Sequence, residues 1–266
     1  MTVDIDPWND TANPLPVSAA LVTGAAAGIG AATARLLAAR GFRVALADLN
    51  AHAVQNMADE IVANGGQALA LPLDVRDAAA VDDAIETASG ALGPVTRLAA
   101  VAGVSARGSI ETLAREDWAK VMEINVTGSY NVIRAALPGM REAGGGSIVL
   151  TGSTASISGF PISSAYTTAK HALAGMTRSL CIETGPAGIR VNVVAPGSIA
   201  TDRARGSLST DFALRVLDRT PLRRHGRPEE VAEAIAFLLS DSEAFGNGAV
   251  IPMGGGLSAG HLTSVL

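Results

Sequence analysis

A short apolar strand, Ala19-Ala20-Leu21-Val22, runs without a break into the turn Thr23-Gly24-Ala25-Ala26-Ala27-Gly28-Ile29-Gly30 and an alanine-rich helix reaching about Arg40. Few folds accept strand, glycine turn and helix in that order. Gly24 allows a tight turn, Gly28 lets the backbone approach a ligand, and Gly30 permits close packing of helix on sheet. The helix start then offers free N–H groups and the positive end of a dipole, so Gly24, Ala27, Gly28, Ile29 and Gly30 are expected to hold a dinucleotide pyrophosphate. A plain turn is the alternative reading. The next strand, Arg43 to Ala47, ends in Asp48, eighteen residues after Gly30. A dinucleotide fold places there the carboxylate that binds the adenosine ribose hydroxyls. A carboxylate repels a 2′-phosphate, and neither Ala27 nor Leu49 beside it supplies a positive charge, so NAD is expected over NADP.

Strands and helices go on alternating. Ala51 to Asn64 reads as a helix closed by Gly65-Gly66, Gln67 to Leu71 as a third strand, and Asp74 to Gly90 as a turn and helix. Val95 to Val101 is a fourth strand, Glu116 to about Met140 a helix, and Ser147 to Thr151 a fifth strand. Gly188 to Ala195 is a sixth and Ala249 to Pro252 the last, with a helix starting at Pro228. An apolar fraction of 48% with 3% aromatic suits buried parallel strands and close-packed helices. A net charge of −5 with scattered Lys and Arg argues against a nucleic-acid surface. The long uncharged tracts are rich in Gly, Ser and Thr, so no membrane span is expected. The lone Cys181 and the lack of a secretory signal point to the cytoplasm. Residues 1–17 read as a loosely held leader, and 18–266 as one domain. His52, His171, His225 and His261 have no metal-ligand spacing.

The chemistry concentrates between Gly146 and Lys170. Only three residues separate Tyr166 from Lys170, so on a helix from Ser163 to Ser179 the phenol and the ammonium share a face. Lowering a phenol pKa of about 10 by roughly 2–3 units takes about 3–4 kcal/mol of preferential stabilisation of the phenolate, and a fixed cation is one source. Lys170 is the first charge after a neutral tract, and Ser153 stands where a strand ends, thirteen residues before Tyr166. A surface tyrosine beside a solvated lysine is the bland alternative.

Ser153, Tyr166 and Lys170 at these spacings resemble the catalytic serine, tyrosine and lysine of the short-chain dehydrogenase/reductase family, and the resemblance extends from about Ala19 to Gly256. It implies an α/β Rossmann fold with a seven-stranded doubly wound parallel sheet and helices on both faces. It assigns Asn125, in Ile124-Asn125-Val126-Thr127-Gly128, to a water-linked proton relay behind the lysine. It sets Asp74 and Val75 against the adenine, and Ala102-Gly103 beside the ribose. The loop Pro196-Gly197-Ser198-Ile199-Ala200-Thr201 resembles the family's Pro-Gly loop, in which Ile199 and Thr201 would hold the nicotinamide carboxamide. Two departures stand out. Ala100-Val101-Ala102-Gly103 replaces the usual Asn-Asn-Ala-Gly, and Gly254-Gly255-Gly256 the usual Asp-Gly-Gly.

The implied activity is hydride transfer between NAD(H) and a secondary alcohol or ketone, with Tyr166 as general acid/base, Ser153 on the reacting oxygen and Lys170 on the ribose. A carrier-linked 3-oxoacyl reductase and a catalytically inactive NAD-binding regulator are the alternatives. Val104, Ser105, Ala155, Ile157, Phe160, Ser198, Leu208 and Phe212 are the expected substrate walls. By the same resemblance the chain is expected to form homodimers or homotetramers.

Overall fold

The computed structural model describes residues 19–202, 210–242 and 244–260. The expected leader, Leu208 and the end of the tail lie outside the described residues, as does the Phe212 side chain. Strands β1 (Ala19–Thr23), β2 (Arg43–Asp48), β3 (Gln67–Pro72), β4 (Val95–Ala100), β5 (Gly146–Thr151), β6 (Ile189–Pro196) and β7 (Val250–Met253) form one sheet. Its order is β3-β2-β1-β4-β5-β6-β7, and every neighbouring pair is parallel. Every residue of β1, β4 and β5 is buried, so none of these strands shows an alternating solvent face, and the polar Arg97 of β4 and Ser147 of β5 find hydrogen-bond partners inside.

Helices cover both faces. On one, α1 (Gly28–Ala39), α2 (Ala51–Ala63) and α8 (Pro228–Leu239) pack Leu37, Ile61 and Ile235 against Val22, Leu46 and Val149. On the other, α3 (Ala78–Leu92), α5 (Gly128–Glu142) and α6 (Ser164–Thr184) pack Val81, Ile133 and Leu173 against Leu21, Leu98 and Ile148. Helix α4 (Arg115–Met122) joins α5 through a π-helical turn (Glu123–Thr127), and α7 (Thr210–Arg219) follows the β6 loop. Strand order reverses between β1 and β4, so the crevice outside their carboxyl ends lies at a topological switch point, where such sheets bind ligands. No helix among the described residues is long and apolar enough to cross a membrane.

One charge is buried in the sheet itself. Arg97 on β4 is 2% exposed, and its guanidinium reaches Asp241 at 2.6 Å and the Thr96 hydroxyl at 2.9 Å. Burial lowers its pKa from the usual arginine value, with Asp241 opposing that shift.

Candidate active site

The switch-point crevice is a cavity of about 910 Å3. Each residue expected to bind the cofactor, from Gly24 to Thr201, lines it, and so does Ser153. Asn125 lies just behind its wall.

The helices that follow β1, β2 and β3 begin differently. Asn50 caps α2 by accepting from the Ala53 N–H, and Asp77 caps α3 by accepting from Ala79 and Ala80. The N-cap of α1 is Ala27, with no side-chain bond and no acid in the first turn. Its leading N–H groups therefore have no side-chain partner, an arrangement suited to an anion. The approach is close: a Cβ on Gly30 would lie 2.0 Å from the Gly24 carbonyl oxygen, and one on Gly28 3.1 Å from the Thr201 methyl.

Asp48 ties this turn to β2. Its carboxylate accepts from the Ala26 N–H at 3.1 Å and from the Asn50 N–H at 2.9 Å, one bond on each oxygen. Each oxygen keeps a lone pair for a hydroxyl. Leu49 beside it is 72% exposed and apolar. Asp74 is more occupied: Arg76 grips its carboxylate through two nitrogens at 2.6–3.0 Å and holds its pKa below the usual range. Arg76, the cation closest along the chain to the adenine side, is thus already neutralised by Asp74, with Glu123 at 3.9 Å.

The turn after β4 is held from β1. The Thr23 hydroxyl accepts from both the Val101 and Ala102 N–H groups, at 3.1 Å each, and so joins β1 to β4 at the floor of the crevice. Gly103 follows. A Cβ there would stand 2.6 Å from the Asn125 Oδ1 and 3.4 Å from the Lys170 Nζ, so glycine is what allows those two groups to converge. The π-helical turn explains how Asn125 faces inward. Within it the Asn125 side-chain amide donates to the Val121 carbonyl and to the Val104 carbonyl, at 2.8 Å each. Asn125 is fully buried, and its Oδ1 has no partner among the described residues. An acceptor of this kind suits a proton-relay role.

Ser153 stands two residues beyond the end of β5 and caps the helical turn Thr154–Ser156, its Oγ accepting from the Ala155 N–H at 3.1 Å within a capping box. With its acceptor side engaged, the hydroxyl proton is available to donate into the cavity. Tyr166 and Lys170 lie one turn apart on α6, with the ammonium 5.5 Å from the phenol ring centroid. Lys170 is 3% exposed and donates to the Thr151 carbonyl at 2.7 Å. Burial lowers its pKa to about 8. The Pro196–Thr201 loop closes the far side, anchored by Gly197 N–H to Met253 O at 3.1 Å and Ala200 N–H to Gly226 O at 2.8 Å. A Cβ on Gly197 would lie 2.7 Å from the Gly254 Cα and one on Gly254 2.8 Å from the Thr154 methyl, so Gly254, the first glycine of Gly254-Gly255-Gly256, lets two loops touch where a side chain would part them.

Of the expected substrate walls, Val104, Ser105, Ala155, Phe160 and Ser198 line the cavity. Ile157 does not; its side chain is 39% exposed outside it. Arg107, Arg215 and Arg219 line it as well, and sequence reasoning did not single them out.

An uncapped helix start, a carboxylate one strand away, and a phenol beside a buried ammonium along one cleft place the molecule among the dinucleotide-binding oxidoreductases. A family model described as "Enoyl-(Acyl carrier protein) reductase" matches residues 24–258. The chain belongs to the short-chain dehydrogenase/reductase family, whose members bind a nicotinamide cofactor. It is 41% identical to "Inactive 2-(S)-hydroxypropyl-CoM dehydrogenase 2" of Xanthobacter autotrophicus over 85% of this chain and 99% of that one. It is also 41% identical to the cis-4-hydroxycyclohexanecarboxylate dehydrogenase of Sinomonas cyclohexanicum, over 90% and 96%. A solved 7α-hydroxysteroid dehydrogenase, complexed with NADH and 7-oxo glycochenodeoxycholic acid, superposes with a TM-score of 0.88 at 31% identity, over 91% of this chain and 95% of that one.

Proposed function

We propose that this protein is an NAD-preferring oxidoreductase interconverting a secondary alcohol and a ketone. The observation that carries the reading is the buried Lys170 ammonium beside the Tyr166 ring, in the same cleft as Ser153 and the uncapped start of α1. Dehydrogenases of secondary alcohols among the relatives support the reaction class.

The residues fit the cofactor in three places. The free amides of α1 suit its pyrophosphate, Asp48 its ribose hydroxyls, and the Ile199 and Thr201 loop its carboxamide. When bound, the nicotinamide supplies the carbon that gives or takes hydride. Tyr166 Oη takes the proton of the substrate hydroxyl in oxidation and returns it in reduction. Ser153 Oγ donates to the reacting oxygen and so orients it. Lys170, with one N–H used by Thr151, has two left for ribose hydroxyls, and its charge favours the ionised phenol. Asn125 Oδ1, beside Lys170, would accept from a water that links the ammonium to solvent and carries the proton outward. The complete set of Ser153, Tyr166 and Lys170 argues against an inactive regulator.

Asp48 and the apolar Leu49 support NAD over NADP. Placing a 2′-phosphate against that carboxylate costs several kcal/mol at 4 Å even in a fairly polar surround, so kcat/KM should favour NAD at least about tenfold. Initial rates with both cofactors, followed at the reduced-nicotinamide band across a panel of ketones, test this. Equal or better use of NADP would refute the role given to Asp48. Exposed Tyr130 on α5 and Ile182 on α6 support a homodimer or homotetramer through those helices. The single free cysteine is consistent with a cytoplasmic location.

A further inference from the structure

Beyond Ser153 and Tyr166 the cavity wall turns basic. Arg215, Val216 and Arg219 line it from α7, at spacings that share one helix face. Arg107 lines it from another side: the neighbouring Gly108 donates its N–H to the Ile162 carbonyl at 3.1 Å and bridges to Ser163, three residues before Tyr166. Helix α7 also ends at this side. Thr220 packs against Gly255, and the adjoining Gly254 lies against Thr154 and Gly197. These contacts set the end of α7 and Gly108 by the loops that follow β5 and β6, on the Ser153 and Tyr166 side of the cleft, whereas Asp48 ends β2, three strands from β5.

The rest of this end is apolar, with Val104, Phe160, Ile162 and Leu257 in the wall. Asp202 is the carboxylate lining it among the described residues. Arg219 has no ion-pair partner among the described residues: Asp218 is held by Arg223 at 3.2 Å, and Asp211 by Arg215. The Asp211–Arg215 pair is exposed, so it is weak and yields readily to another anion. Guanidinium forks match two neighbouring oxygens of a carboxylate or a sulfonate in two parallel hydrogen bonds.

We propose that the alcohol or ketone processed at Ser153 and Tyr166 carries an oxyanion, a carboxylate or a sulfonate, on a compact apolar frame, and that Arg219 together with Arg215 grips that group. The inference rests on the oxidoreductase reading and names its substrate class. Holding the anion at α7 fixes the other end of the substrate and presents its oxygen to Tyr166, which is how remote binding energy serves a reaction.

The test is NADH consumption with 5-oxohexanoate and 4-acetylbenzoate, each against its primary amide, and with 4-acetylbenzenesulfonate as the sulfonate arm. A charge-assisted contact gives kcat/KM for the anion about 10- to 100-fold above that for the amide. The sulfonate arm tells which oxyanion is preferred. In Arg219→Gln the anion-to-amide ratio should fall about tenfold, and Arg219→Lys, which keeps the charge without the fork, should restore part of it. Arg219 is exposed, so these variants are expected to fold, and a thermal melt checks that. Amides used as well as acids, or a ratio untouched by Arg219→Gln, would overturn the inference while leaving the oxidoreductase reading intact. Turnover of none of these ketones, and of none in the wider panel, would remove both.

Discussion

Replacing Lys170 by Met should stabilise the unliganded protein at neutral pH while abolishing its activity. Lys170 is 3% exposed, and burial drops its pKa from 10.5 to about 8. A difference of that size corresponds to about 3 kcal/mol of cost for keeping the ammonium charged in the folded state. The sign follows from linkage. Below about pH 8 both folded and unfolded states hold the proton, and the folded state carries the whole cost. Between about 8 and 10.5 the unfolded state holds a proton that the folded state lacks, so stability rises with pH. Above 10.5 the difference is gone. Methionine keeps the aliphatic stem, removes the charge, and loses the bond to the Thr151 carbonyl, which is worth about 1 kcal/mol. The expected gain is about 2 kcal/mol at pH 7, shrinking as pH approaches 10. Urea melts of both proteins at pH 7, 8.5 and 10 measure it, since the difference between the two removes other titrations. A variant less stable at pH 7, or a gap independent of pH, would refute the reasoning that the ammonium is held at a cost for function.

Two further outcomes follow from the floor of the crevice. Thr23→Val leaves the buried N–H groups of Val101 and Ala102 without their acceptor, and should cost about 2–5 kcal/mol in a denaturant melt; a loss under 0.5 kcal/mol would show that the hydroxyl is not what joins β1 to β4. Gly103→Ala puts a methyl 2.6 Å from the Asn125 Oδ1, and should lower kcat at least about tenfold by parting Asn125 from Lys170, with nicotinamide binding followed by fluorescence as the check on the fold.

Much of this was legible in the chain because the fold's demands are local. Buried parallel strands need mostly apolar runs, and β1 together with the Ile148–Leu150 centre of β5 supplies them. The turn at Gly24 to Gly30 and Asp48 after β2 could be placed by counting residues alone. What escaped depends on contacts between distant segments. Nothing in Glu116 to Met140 announces a π-helical turn, because the Asn125 amide there also bonds the Val104 carbonyl, 21 residues back and outside the helix. Thr23 looks like an ordinary strand-end residue until its hydroxyl is seen to hold the turn in which the usual amides are replaced. Arg97 sits in a strand read as apolar, and only Asp241, 144 residues on, accounts for it. The basic wall was missed for a related reason. Arg107, Arg215 and Arg219 look scattered along the chain, and the loops that bring them together have no periodicity to read.

The central claim is that the Tyr166 hydroxyl moves the proton beside a bound nicotinamide. Tyr166→Phe removes one oxygen and leaves the ring against Lys170, so NADH binding by fluorescence titration should stay within about threefold of the parent, while turnover falls at least about 100-fold. A Phe variant that binds NADH and still turns over at the parent rate would contradict the claim outright.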